Sequence, residues 1–207
     1  MKIVMMSDNH NSYSGLDIPD GDVFIHSGDY SGHGTLQELS AFNTWLGKLK
    51  HACKLFVPGN HDGLFQTDPS LAKGVLTNAI TLIDSSFDWK GIKFYGTPWQ
   101  PFFNNWYFNV QDDSKRTELF NKIPDTTNVL ITHCPPYDVL DKNCEGELCG
   151  DLMLTRRISS LRALRLHVFG HIHDGAGSKF LEPVTYINSS VMNDHYKLVN
   201  KPSVFEL

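Results

Sequence analysis

Lys2-Ile3-Val4-Met5-Met6-Ser7-Asp8-Asn9-His10 opens the chain with a short apolar run that turns abruptly polar. A run of that size suits a buried strand. In open α/β sheets, sites assemble just past the carboxyl ends of strands. The same juxtaposition recurs along the chain. Asp22–His26 ends at Ser27-Gly28-Asp29, and Lys54–Val57 ends at Gly59-Asn60-His61-Asp62. Asn128–Thr132 runs into His133, and His167–Phe169 ends at Gly170-His171-Ile172-His173. Strand after strand terminates in Asp, Asn or His, so these termini are expected to converge on one point.

Helices fall between the strands. Thr35 with Glu38 three residues later forms a capping-box signature. Leu36, Leu39, Phe42, Leu46 and Leu49 follow at helical spacing, which predicts a buried stripe. A second helix is predicted from about Leu152 to Ala163, with Asp151 as its N-cap. Gly91–Gly96, Val184–Ile187 and Lys201–Leu207 read as further strands. This alternation predicts an α/β fold with parallel pairing in at least part of the sheet. Neither repeats nor a linker divide the 207 residues, so 1–207 is expected to be a single domain.

Composition narrows the partners. A net charge of -5 argues against wrapping duplex nucleic acid, which needs dense Lys and Arg. No apolar run approaches the ~20 residues that cross a bilayer, so no membrane partner is expected. Cys53, Cys134, Cys144 and Cys149 have no paired framework and read as reduced thiols, the expectation for a cytoplasmic protein. Cys144 and Cys149 lack the second pair that a zinc knuckle needs.

The strand-end residues have ligand chemistry. Asp8, Asp29, Asn60, His10, His133, His171 and His173 supply carboxylate, amide and imidazole groups without a thiolate. That set suits two divalent transition-metal ions, Mn2+ first, with Fe, Ni or Zn as alternatives. A shared Asp between ions ~3.5–4 Å apart is a common arrangement for phosphoryl chemistry. Two such ions outweigh two carboxylates and a bridging hydroxide by about one positive charge, which draws a phosphate ester although the chain is acidic.

These blocks, in this order, resemble the calcineurin-like metallophosphoesterase superfamily, whose pattern is D-x-H, G-D, G-N-H-[DE], a lone His and G-H-x-H. The resemblance extends to Gly96-Thr97-Pro98-Trp99, Asn105-Trp106-Tyr107-Phe108-Asn109, His133-Cys134-Pro135-Pro136 and Tyr186-Ile187-Asn188. Those stretches are similar to the metallophosphoesterase-domain proteins grouped with class III cyclic-nucleotide phosphodiesterases. The resemblance implies two mixed β-sheets packed face to face with flanking helices. It implies that Asp8, His10 and His173 hold one metal and that Asn60, His133 and His171 hold the other. Asp29 would bridge them, and a hydroxide between the metals would attack phosphorus. His61 would be the general acid beside the leaving-group oxygen, and Asn60 would also touch the phosphate. The implied substrate is a small phosphodiester, cyclic or linear and nucleotide-like. A phosphomonoesterase, a nuclease or a non-catalytic scaffold of the same fold is the alternative.

One block departs from the phosphoprotein phosphatase branch, which reads G-D-Y-V-D-R-G. Here the window is Gly28-Asp29-Tyr30-Ser31-Gly32-His33-Gly34. Gly32 replaces the Asp that orients the catalytic His there, and His33 replaces the phosphate-clamping Arg; His cannot supply that planar fork. Asp62 is the candidate partner for His61, and His33 is a candidate to approach the metals. Among the aromatics at 99–108, Trp99 is the candidate base-stacking residue, against the plainer reading of core packing.

Overall fold

The computed structural model describes all 207 residues. The amino-terminal part supplies β1 (Lys2–Met6), β2 (Val23–His26), α1 (Leu36–Leu46), β3 (Cys53–Phe56), α2 (Leu64–Thr67), α3 (Pro69–Val75) and β4 (Ile80–Thr81). A hairpin of β5 (Ser85–Trp89) and β6 (Ile92–Thr97) follows. Then come α4 (Asp113–Phe120), β7 (Val129–Thr132), α5 (Leu152–Ile158) and β8 (Leu166–Phe169). The chain closes with β9 (Gly177–Leu181), β10 (Val184–Asn188) and β11 (Ser203–Glu206).

The strands form two mixed sheets. One has the order β11-β1-β2-β3-β4, parallel except for β11. The other has the order β5-β6-β7-β8-β10-β9, parallel within and antiparallel at both edges. Strand periodicity sorts the side chains into layers. Ile3, Met5, Ile25 and Leu55 meet Phe94, Ile131, Val168 and Ile187 between the sheets. Val4, Met6, Phe24 and Phe56 point the other way, onto Leu39, Phe42 and Leu46 of α1. Tyr95, Leu130 and Phe169 pack on Phe120 of α4 and on Leu154 and Ile158 of α5. Central strands are therefore covered on both faces, which explains their unbroken apolar runs.

The capping box at Thr35 and Glu38 is present, as is the Asp151 cap on α5. Two helix expectations need correction. Leu36 is exposed, and Leu49 lies beyond the end of α1, so the buried stripe is Leu39, Phe42 and Leu46. α5 stops at Ile158, short of Ala163. Ser159 and Ser160 follow, and their hydroxyls donate back to the carbonyls of Arg156 and Arg157. No helix is long and apolar enough to cross a membrane. All four cysteines are free thiols.

The two sheets are tied together at the carboxyl ends of β1 and β10. Ser7 N–H donates to Ser189 O at 2.9 Å, and Val191 N–H donates to Ser7 O at 3.1 Å. This stitch brings the end of β1 beside the end of β10, and with it the loops after β1, β2, β3, β7 and β8.

Candidate metal centre

Each candidate ligand sits in a loop that leaves the carboxyl end of a strand: Asp8 and His10 after β1, Asp29 after β2, and Asn60 and His61 after β3. His133 follows β7, and His171 and His173 follow β8. The backbone is bent sharply there. Asp8, His10, Asp29 and His171 all have φ between 38° and 69°. That region is costly for non-glycine residues and persists where the surroundings over-determine it. Close approach also demands glycine at two positions. A Cβ on Gly170 would lie 2.1 Å from Ser7 Oγ and 2.2 Å from Asp8 Oδ2. One on Gly28, at φ 108°, would lie 2.4 Å from His133 Nδ1.

Ligating atoms gather into overlapping groups, each within 4.8 Å: Asp8, His10 and His173; His10, Asp29 and His61; Asp29, His133 and His171. Asp29 belongs to two of them, and His10 links it to the group of Asp8 and His173. Its Oδ2 lies 3.3 Å from His133 Nε2 and 4.0 Å from both His10 Nε2 and His61 Nε2. His173 Nε2 lies 3.6 Å from Asp8 Oδ1. Asn60 Oδ1 lies 3.0 Å from His133 Nε2.

The second ring nitrogens explain the orientation. His10 Nδ1–H donates to Ser31 O, His133 Nδ1–H to Ser27 O and His173 Nδ1–H to Asn193 O, each at 2.9 Å. A carbonyl only accepts, so each Nδ1 carries a proton and each Nε2 is left facing the Asp8 or Asp29 carboxylate. Metal-ligating imidazoles are held in this way. His10 Nε2 is buried without any hydrogen-bond partner. Around His133 Nε2 the neighbours are Asn60 Oδ1 and Asp29 Oδ2, which also accept. Such a cluster of acceptors is satisfied by a cation, either a proton or a metal ion. The residues therefore fit the divalent pair that the donor set implies.

Electrostatics agree. Burial opposes a charge on His133, but Asp29, by charge and hydrogen bond, raises it to about 9. Burial likewise opposes a charge on His173, and Asp8 raises it to about 9. Burial pushes Asp29 up, yet His133, His61 and His10 more than offset this and hold it well below the usual carboxylate range. His171 is pushed down to about 3 by burial and by the neighbouring His133, so it stays neutral and free to ligate.

His61 faces the same cavity from the β3 side. Its Nδ1 lies 2.8 Å from Gly32 O, which accepts the Nδ1 proton. Asp62 does not reach the imidazole, which corrects the expectation that it orients His61. Its Oδ2 accepts from Asp29 N–H and Gly59 N–H, both at 2.8 Å, and its Oδ1 accepts from Ser31 Oγ at 2.9 Å. Asp62 thus clamps the β2 and β3 loops together. Glu38 supports the same corner: its Oε1 accepts from Gly32 N–H at 3.0 Å and Asn11 Nδ2 at 2.7 Å. His33 is exposed and lies outside the cavity wall.

The cavity measures about 200 Å³ and is walled by His10, Asp29, Asn60, His61, His171 and His173. Phe103, Asn143, Cys144, Ile172, Asp174, Asp194 and Tyr196 complete it. Trp99, the candidate base-stacking residue, is not part of the wall. Its Nε1–H donates to Asp84 Oδ2 at 2.9 Å, and its ring packs edge-on against Phe108 at 5.7 Å. The aromatic rings at the site are others. Trp106 lies over His61 with the planes tilted by 32°, Phe103 is perpendicular to His171, and Tyr196 meets His10 at 4.8 Å and His173 at 5.4 Å. Phe103 and Trp106 lay in the aromatic stretch already noted. Tyr196 carried no local signal, because only the fold sets its loop beside β1.

Over residues 1–175 the chain matches a family described as calcineurin-like phosphoesterase. It is 37% identical over 234 residues to metallophosphoesterase domain-containing protein 1 of Homo sapiens, spanning 100% of this chain and 71% of that protein. The Mus musculus protein of that name gives the same figures. A dimetal phosphatase from Danio rerio shares the fold, with a TM-score of 0.54 at 12% identity over 93% of this chain and 87% of that one.

Proposed function

The chain belongs to the calcineurin-like phosphoesterase family, and from that premise we propose that it is a dinuclear phosphodiesterase acting on small, nucleotide-like diesters. The observation that carries this reading is the run of overlapping groups, joined at His10 and at Asp29, that leads from Asp8 and His173 to His133 and His171. Asp8, His10 and His173 would hold one ion, and Asn60, His133 and His171 the other, with Asp29 between them. Mn2+ is the ion we favour, since the donors are oxygen and imidazole without thiolate. When bound, such ions lower the pKa of water and neutralise charge on phosphoryl oxygens.

The remaining chemistry belongs to the chain. His61 presents Nε2 to the cavity while Gly32 O holds its Nδ1. In that pose the imidazole, when protonated at both nitrogens, would give its Nε2 proton to the departing oxygen and keep its Nδ1 proton on Gly32 O. Asp29 Oδ1 accepts the His61 backbone N–H at 2.8 Å, so the bridging carboxylate and the proton donor share one anchor. Asn60 stands beside His61 and supplies a polar contact for a phosphoryl oxygen. The cavity of about 200 Å³ fits a phosphodiester head with one small substituent and leaves the rest of a substrate at the rim.

The test is a substrate panel on metal-stripped protein reloaded with Mn2+, Fe2+, Ni2+ or Zn2+. Bis(nitrophenyl) phosphate and cyclic nucleotides are expected to turn over faster than nitrophenyl phosphate or single-stranded DNA. Faster turnover of the monoester would replace this reading with a phosphomonoesterase. No turnover with any metal would leave a scaffold.

A further inference from the structure

We infer that Trp106 is a positioning residue for His61, holding the imidazole in the plane from which Nε2 meets the leaving oxygen. The inference rests on the general-acid reading of His61.

The Gly32 carbonyl fixes one point of the imidazole, its Nδ1. One hydrogen bond leaves a ring free to swing about that contact. His10 meets the ring edge-on at 4.8 Å, and the Trp106 indole covers its face. Its centroid lies 3.9 Å from that of His61, with the planes 32° apart. A point and a face together define where Nε2 aims, and an aromatic face tolerates both charge states of an imidazole. Here a carbonyl and an indole do what a carboxylate does in the branch that carries Asp at position 32.

The loop that carries Trp106 is built to stay in place. The Asn109 Nδ2 group donates to Trp106 O at 3.0 Å and to Asn104 O at 2.9 Å. Tyr107 N–H donates to Asn60 O at 3.2 Å, which ties the loop to the residue preceding His61. The Tyr107 ring also lies over Gly63, where a Cβ would come within 2.1 Å of it. The loop and the β3 turn are therefore locked to one another, and Trp106 is the face they present to His61.

The experiment uses the full chain loaded with Mn2+ and methyl aryl phosphates whose leaving groups run from nitrophenol to phenol. Trp106→Leu keeps apolar bulk without the aromatic face; Trp106→Phe keeps a face. Trp106→Leu is expected to slow kcat by ~10-fold or more for phenol and by only about 2-fold for nitrophenol, with KM little changed. Trp106→Phe should recover most of that loss, and Trp106→Leu should add nothing in a His61→Ala background. A uniform loss across leaving groups, a change in KM alone, or additivity with His61→Ala would overturn the inference. If His61→Ala itself is insensitive to the leaving group, the general-acid reading fails and takes this inference with it. If His61→Ala is sensitive and Trp106→Leu is not, only the inference fails.

Discussion

Histidines that belong to strands and histidines in the loops beyond them are held in opposite ways. His26 lies within β2 and His167 within β8, both fully buried. His26 Nε2–H donates to Asn9 Oδ1 at 2.8 Å, and its Nδ1 accepts from Gly28 N–H at 3.3 Å. His167 Nε2–H donates to Thr132 Oγ1 at 2.9 Å, and that hydroxyl donates onward to Cys134 O. Burial pushes both imidazoles down to about 3, so they are neutral packing groups. At the strand ends, His10, His133 and His173 give one N–H to a carbonyl and turn the other nitrogen toward carboxylates. Burial alone therefore does not mark a ligand. A lone pair aimed at other acceptors does, because only a cation relieves that arrangement.

The largest test of this contrast is removal of the bridge. Asp29→Asn is expected to cut turnover by ~10³-fold or more in Mn2+-loaded protein, because the shared negative ligand is lost. A steady-state assay with full activity would break the distinction at its centre. Next comes His61→Ala, expected to lose ~10²-fold or more with alkoxide leaving groups and far less with nitrophenol. Equal losses in the two assays would move His61 to a structural role.

A finer test counts protons. His133 and His173 are raised to about 9, so the metal-free protein carries both charged at pH 7. Metal must displace those protons, so apparent affinity should rise with pH toward about 9. Loading at pH 7 should release about two protons per chain, read with an indicator dye in weak buffer. Binding without proton release would mean that these nitrogens are not ligands.

The smallest effect lies in the strand interior. The folded pKa of His167 is below that of an unfolded imidazole, about 6.5. The unfolded chain then binds more protons, so this residue costs stability as pH falls from about 6.5 toward 3. His167→Gln should flatten that part of the urea-unfolding profile while leaving turnover at pH 7 close to wild type. An unchanged slope would show that another group governs the acid limb.

Much of this was legible along the chain. The strands from β1 to β8 that carry the site are apolar on both faces, so they stood out as short runs ending in candidate ligand residues. The helix caps at Thr35 and Asp151 were legible because they are local hydrogen-bond patterns. The β5–β6 hairpin was only half visible. Its turn, Lys90-Gly91, has positive φ at both residues, and Lys is a poor signal for that geometry. β9 is exposed along its whole length at the sheet edge and had no apolar pattern to read. In the aromatic stretch, residue type marked the segment but not its members. Trp99 turned to Asp84 and Trp106 to His61, according to where Asn109 and Tyr107 pinned the loop.

By itself, then, the order of residues determined the fold family and the set of groups with ligand chemistry, because strand periodicity and donor type are local properties. Tertiary structure decided which atoms face one another. The Ser7 stitch between the sheets, the carbonyls that fix each Nδ1, the Gly32 oxygen under His61 and the arrival of Tyr196 all join residues far apart in the chain. Orientation of that kind comes from packing two sheets face to face, and no spacing along one strand encodes it.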